Sequence, residues 1–266
     1  MDLELSGKVA IVTGGSRGIG KAIATELAEE GAKVAIVARD PAAAKATASG
    51  IAAKTGRPAF AYSADTGKDD DVRAAFSQIA AEHSRVDILV NCAAQPAGQG
   101  AAPKLAGITD EVFWADINVK VLGYLRCARE VAPVMQRQRS GRIINISGLA
   151  ARQTGSIVGS IRNVSVAALT KNLADELGPL GISVTCVHPG FTRTEKTPDA
   201  LRYRASAAGL SVDAMEQRLS EDTSIRHIVT AEEVAYVVAF LASPKSTAIS
   251  GDAIAVGGGK VGAIYY

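Results

Sequence analysis

At 266 residues, 47% of them apolar, the chain is long enough to bury a substantial core, and its formal charge of +2 gives no general attraction for nucleic acid or an acidic membrane surface. Its function must therefore reside in local sites. Cys92, Cys127 and Cys186 lie far apart, without C-x-x-C spacing or accompanying histidines, which reads as three reduced, buried thiols and no metal site. No run approaches the ~20 apolar residues of a membrane span and no charged lead precedes an apolar core at the N-terminus, so a cytoplasmic location is expected, with neither membrane nor nucleic acid as partner.

The first element is the apolar run 9–12, which reads as a strand buried on both faces, followed by a glycine-rich turn and a helical pattern over 21–30 that Gly31 ends. Strands follow at 34–38, 59–64 and 88–91, separated by Ala-rich helical patterns over 41–53 and 69–82. Further strands read at 141–146, 183–187 and 253–256, the last after a helix over 231–241. Strand alternating with helix, without long linkers or repeats, predicts one α/β domain spanning 1–266: a doubly wound parallel sheet of about seven strands flanked by helices. Two stretches stand out, 93–107, rich in Ala, Gly and Pro, and 190–226, long and mostly polar with helical character from Thr197. Both follow strands, and ligands in open α/β sheets bind beyond the strands' carboxyl ends, so these stretches are the expected pocket walls.

The turn Thr13-Gly14-Gly15-Ser16-Arg17-Gly18-Ile19-Gly20 spaces glycines as G-x-x-x-G-x-G between a strand and a helix start. Backbone N–H groups at a helix start lack partners and carry the positive end of its dipole, and glycines let a diphosphate approach them. The turn resembles the cofactor-binding signature of the short-chain dehydrogenases/reductases, single-domain Rossmann-fold enzymes, and the likeness extends over nearly the whole chain. It implies cofactor contacts from Gly14, Ser16, Arg17, Gly18, Ile19 and Gly20. Further contacts are implied for Asp65 and Thr66, at the family's adenine-contacting position, and for Asn91, which begins N-C-A-A where the family has N-N-A-G. Pro189, Gly190 and Thr192 match the family's P-G-x-x-T segment around the nicotinamide carboxamide, and 190–226 matches its substrate loop. Asp65 and Thr66 also read as a cap for the helix starting at Asp69.

At the end of the second strand an NAD enzyme usually sets a carboxylate against the ribose hydroxyls, whereas an NADP enzyme presents cations to the extra phosphate. Ala38 stands where the family's carboxylate falls, and Arg39 and Arg17 are cations on one side, which favours NADP(H) over NAD(H). The alternative leaves Arg39 solvated and gives Asp40 the acidic role.

Hydride arriving at a carbonyl carbon creates an alkoxide that needs an acid within reach. The family supplies a Ser, a Tyr, a Lys four residues after the Tyr, and an Asn. The segment 167–174, A-A-L-T-K-N-L-A, resembles the family's helix after Y-x-x-x-K; counting back puts Gly159 at the Tyr position and Asn163 at the Lys position. Asn118 matches the Asn, and Ser147 stands one place before the usual Ser, which falls at Gly148. The catalytic candidates are accordingly Asn118, Ser147, Arg162 and Asn163, in an atypical site where Asn163 bonds a ribose hydroxyl and Arg162 stabilises an anion. A helix network at a subunit interface is the structural alternative for Arg162 and Asn163. His188 reads as a structural donor, Tyr203 between Arg202 and Arg204 as an exposed helix face, and Trp114 and Met135 as packing residues.

The expected function is an NAD(P)(H)-dependent oxidoreductase acting on a small carbonyl, alcohol or enoyl substrate with an atypical proton donor, homo-oligomeric by resemblance. The alternatives are a nucleotide-binding, catalytically silent protein, as sensor or partner subunit, and a non-redox lyase using the same pocket.

Overall fold

A parallel sheet covered on both faces needs strands that are apolar at successive positions, and the computed structural model, which describes residues 1–95 and 102–264, builds its sheet from such runs. β1 (Val9–Thr13) is buried throughout and leads into α1 (Gly18–Glu29). β2 (Lys33–Ala38), α2 (Pro41–Thr55), β3 (Ala59–Ser63), α3 (Asp69–His83) and β4 (Ile88–Asn91) continue the alternation. After α4 (Asp110–Ile117) come a π-helical turn, Asn118–Leu122, then α5 (Gly123–Gln138), β5 (Gly141–Ile146), α6 (Ile157–Leu177) and β6 (Ile182–Pro189). α7 (Thr197–Ala208) and α8 (Val212–Glu221) precede α9 (Ala231–Ala242) and β7 (Ala253–Val256).

All strand pairs are parallel, in the order β3-β2-β1-β4-β5-β6-β7, so the direction of winding reverses between β1 and β4. This is the expected seven-stranded, doubly wound fold. Alternate side chains of one strand serve opposite layers. Ala10, Val12, Val34, Ile36, Val90 and Ile144 pack with Ile23 and Leu27 of α1 and Val234 and Val238 of α9. Ile11, Ala35, Val37, Leu89, Ile143 and Val184 pack with Phe76 and Ile79 of α3 and Val131 and Met135 of α5.

Several boundaries differ from the sequence pattern. α1 begins at Gly18 and not at residue 21, because the glycine turn itself forms the first helical turn. The polar stretch 190–226 holds two helices, the second capped by Ser211, whose hydroxyl accepts the Ala214 N–H. Of the stretch 93–107, residues 96–101 lie outside the described residues. Met135 is fully buried as expected, but Trp114 is 56% exposed: α4 buries Ile117 and turns its tryptophan outward. No described helix is long and apolar enough to cross a membrane.

Gly20 shows how tightly the turn is wound. A Cβ on it would lie 2.3 Å from the Gly14 carbonyl oxygen. Replacing a helical glycine by alanine ordinarily stabilises by about 1 kcal/mol, whereas here the steric clash reverses the sign. Gly20→Ala is expected to destabilise by about 1–3 kcal/mol, read as a fall in urea midpoint; a rise would mean that the turn can open.

Candidate active site

The glycine turn is held against the end of β4 by Thr13, whose hydroxyl accepts the N–H groups of Cys92 at 3.1 Å and Ala93 at 3.3 Å. The two backbones come so close that a Cβ on Gly14 would be 2.9 Å from the Ala93 Cα. Thr47 of α2 donates to the Ser16 carbonyl at 3.0 Å, and Ile19 packs against the apolar layer beneath. The Gly18 N–H, at the start of α1, donates to both oxygens of the Glu195 carboxylate, at 3.0 and 3.2 Å. A negative group from the segment before α7 thus sits on the helix start, where the dipole favours an anion.

Around this seat, Arg17 and Arg39 are exposed and neither guanidinium has a partner among the described residues. Asp40 is engaged elsewhere: its carboxylate accepts the N–H groups of Ala42 and Ala43 and caps α2. Asp65 does not cap α3, whose N-cap residue is Lys68; its carboxylate accepts the Gly67 N–H at 2.9 Å, closing a local turn. The Thr66 hydroxyl points inward, donating to the Val119 carbonyl at 3.3 Å. Asn91 is fully buried and donates to Asn145, which donates to Thr170 of α6, a thread that ties β4 and β5 to the helix and leaves Asn91 Oδ1 without a partner among the described residues. Pro189 ends β6, and Gly190 packs so closely on Gly257 that a Cβ there would lie 2.9 Å from its Cα; the Thr192 hydroxyl donates to the Gly190 carbonyl. Glycines that bring backbones together, a filled anion seat and an orphaned amide oxygen fit a dinucleotide at the carboxyl ends of the strands.

The expected catalytic residues separate into two groups. Ser147, one residue past β5, donates to the Asn163 carbonyl at 2.9 Å and lies 3.3 Å from Asn163 Oδ1. The Asn163 amide also donates from Nδ2 to the Gly159 carbonyl at 2.8 Å. Ser156 caps α6 through the Gly159 N–H, and a Cβ at Gly159 would lie 2.8 Å from the Ser156 hydroxyl oxygen. Asn118 faces away from this group: its amide donates to the Gly67 carbonyl and its own carbonyl accepts from Arg126. Arg162 is 7% exposed and forms an ion pair with Asp116 inside the chain, leaving its Nε unpartnered among the described residues.

The structure adds a residue that the motifs did not single out. Lys120, 5% exposed in the π-helical turn, donates from Nζ to the Ser147 carbonyl at 2.8 Å and to Asn163 Oδ1 at 3.0 Å. Its sequence signal is positional. Lys120, Tyr124, Cys127, Val131 and Met135 fall at helical spacing on one buried stripe, where an ammonium has no structural reason to be. Burial, and then the nearby Arg162, push its pKa down to about 7. Tyr124, four residues on, is no acid: its hydroxyl donates to the Ile146 carbonyl at 2.8 Å, and burial raises its pKa well above the usual value. His188 is buried beside Cys186, and burial, then Arg152 and Lys120, lower its pKa to about 4, so it is neutral. Tyr203 is 37% exposed on α7, as expected of a helix face.

The buried ammonium has a consequence for stability. Between its folded pKa of about 7 and the ordinary 10.5, the unfolded chain binds a proton that the folded chain does not. Stability of the native protein relative to a Lys120→Met variant is therefore expected to rise from pH 7 to pH 10, by up to about 1.4 kcal/mol per pH unit. Paired denaturant titrations across that range measure it; a constant difference would mean that Lys120 keeps its charge.

The family described as enoyl-(acyl carrier protein) reductase matches residues 14–260. The chain is 35% identical to the short-chain reductase protein NovJ of Streptomyces niveus, over 95% of this chain and 93% of that one. It is 36% identical to the 3-oxoacyl-[acyl-carrier-protein] reductase FabG of Staphylococcus epidermidis, over 95% and 98%. Its fold superposes on L-sorbose reductase from Gluconobacter frateurii, solved with NADPH and L-sorbose, with a TM-score of 0.92 and 28% identity over 99% of this chain and all of that one. With a family model matching most of the chain and reductase relatives covered over nearly their full lengths, the chain belongs to the short-chain dehydrogenase/reductase family of oxidoreductases.

Proposed function

We propose that the protein is an NADP(H)-dependent reductase of a small carbonyl or enoyl compound, with an atypical site for the charge that forms on the substrate. The observation that carries this reading is the Glu195 carboxylate on the Gly18 N–H, because it marks a seat already shaped for an anionic oxygen. The choice of NADP(H) over NAD(H) is supported by Ala38 at the end of β2, by the guanidiniums of Arg17 and Arg39, which have no partner among the described residues, and by Asp40, whose carboxylate is committed to the α2 cap. The solved L-sorbose reductase holds NADPH.

The bound cofactor would supply the hydride. The chain's own groups orient the acceptor and meet the charge that develops on it. Gly159, at the family's Tyr position, carries no acid, and the hydroxyl nearest to where its side chain would start is that of Ser156. Ser147 and Asn163 are held together by the bonds described above, and Gly148 lies beside the Asn163 amide with an extended backbone that any residue tolerates. Arg162, paired with Asp116, is not a free cation in this site. Homo-oligomerisation is part of this reading, supported by the exposed Ile157, Ile161 and Val164, which form a stripe at helical spacing on α6, and by Trp114 on α4.

Titration of the purified protein with NADPH and NADH, followed by a screen of carbonyl and enoyl substrates, tests the reading. NADPH is expected to bind more tightly and to be oxidised by at least one substrate class; no binding of either nucleotide would overturn it. Arg39→Asp should weaken NADPH about tenfold relative to NADH, the loss of one charge-assisted phosphate contact. Glu195→Ala should tighten NADPH severalfold by removing a competing carboxylate; unchanged affinity would place the diphosphate elsewhere.

A further inference from the structure

Among the described residues Lys120 is the most deeply buried lysine, and the groups around it come from four elements. Cys92 follows β4, Cys186 and His188 belong to β6, Asp116 to α4 and Arg162 to α6. Loss of water around the thiols holds Cys92 and Cys186 near 11, and His188 stays neutral. Asp116 and Arg162 are closed on each other. Lys120 is the member of this cluster whose charge changes near neutral pH.

Its hydrogen bonds determine what that charge does. Asn163 Oδ1 accepts from Lys120 Nζ and lies within reach of the Ser147 hydroxyl, so the amide cannot turn over without setting its own N–H groups against an ammonium. Nδ2 donates one hydrogen to Gly159 and retains a second. The lysine expected on α6 is absent, yet an ammonium reaches the residue standing at its position from the π-helical turn.

We propose that Lys120 supplies from the π-helical turn the positive charge that the family carries at position 163, and that it acts on a bound nicotinamide nucleotide by fixing the Asn163 amide. Lys120 is on this view a positioning residue, and the inference rests on the reading that a nicotinamide nucleotide occupies the cleft. An ammonium here favours the neutral dihydronicotinamide over the cationic oxidised ring, and binding of the anionic nucleotide stabilises the protonated amine.

Calorimetric titration with NADPH at pH 7.5 in two buffers of different ionisation heat reads this directly. The wild type should take up a fraction of a proton more than Lys120→Met, and the ratio of the NADP+ to the NADPH dissociation constant should fall about fivefold in the variant. Lys120→Gln, which keeps a donor to the Ser147 carbonyl, carries the same test if the methionine variant does not fold. The exchanged pair Lys120→Met with Asn163→Lys should regain the wild-type ratio, while Asn163→Lys alone should lower the melting temperature by opposing two ammonium groups. Equal proton uptake and an equal ratio in wild type and folded variants would overturn the role of Lys120 while leaving the cofactor reading intact. Failure of the wild type to bind either nucleotide would overturn both.

Discussion

A parallel sheet ends in peptide groups that no further strand can satisfy, and on the carboxyl side of this sheet the partners arrive from side chains. Thr13 receives the N–H groups beyond β4, Tyr124 and Lys120 donate to the consecutive carbonyls of Ile146 and Ser147, and Asn91 and Asn145 bridge to Thr170. Each of these bonds satisfies a buried polar group and also fixes one wall of the cleft. Fold and site are coupled through them: the requirement that strand ends be satisfied dictates where the π-helical turn and α6 must lie.

Within that frame Lys120 is costly. An ammonium taken from water loses several kcal/mol of hydration unless hydrogen bonds and opposite charge offset the loss, and Arg162 adds repulsion of like sign. Two carbonyl-type acceptors meet the ammonium, and Asp116 neutralises the arginine. The π-helical geometry accounts for the placement, since it redirects side chains where α4 passes into α5.

The architecture was legible because buried strands leave a plain record. The strands at 88–91, 141–146 and 253–256 were read with the bounds they have, each an apolar run between turn signals. Gly18 was placed before the helix and proved to begin it, since a glycine turn and a first helical turn look alike in sequence. The site was less legible. Motif matching drew attention to Asn118 and away from Lys120 two residues later, although a lysine on a stripe continued by Tyr124, Cys127 and Val131 contradicts the helical pattern. For Arg162 the sequence offers an anion stabiliser or an interface network but not its pairing with Asp116, which lies 46 residues upstream and is joined to it only by the fold. Asp40 and Asp65 illustrate the same ambiguity: both are acidic residues near helix starts, and only Asp40 became a cap.

Glu195 belongs to the segment that enters α7, so the bond from Gly18 is also a tether. On the proposed function, a diphosphate that takes the Gly18 N–H would displace the carboxylate and release the near end of the α7–α8 excursion from the glycine turn.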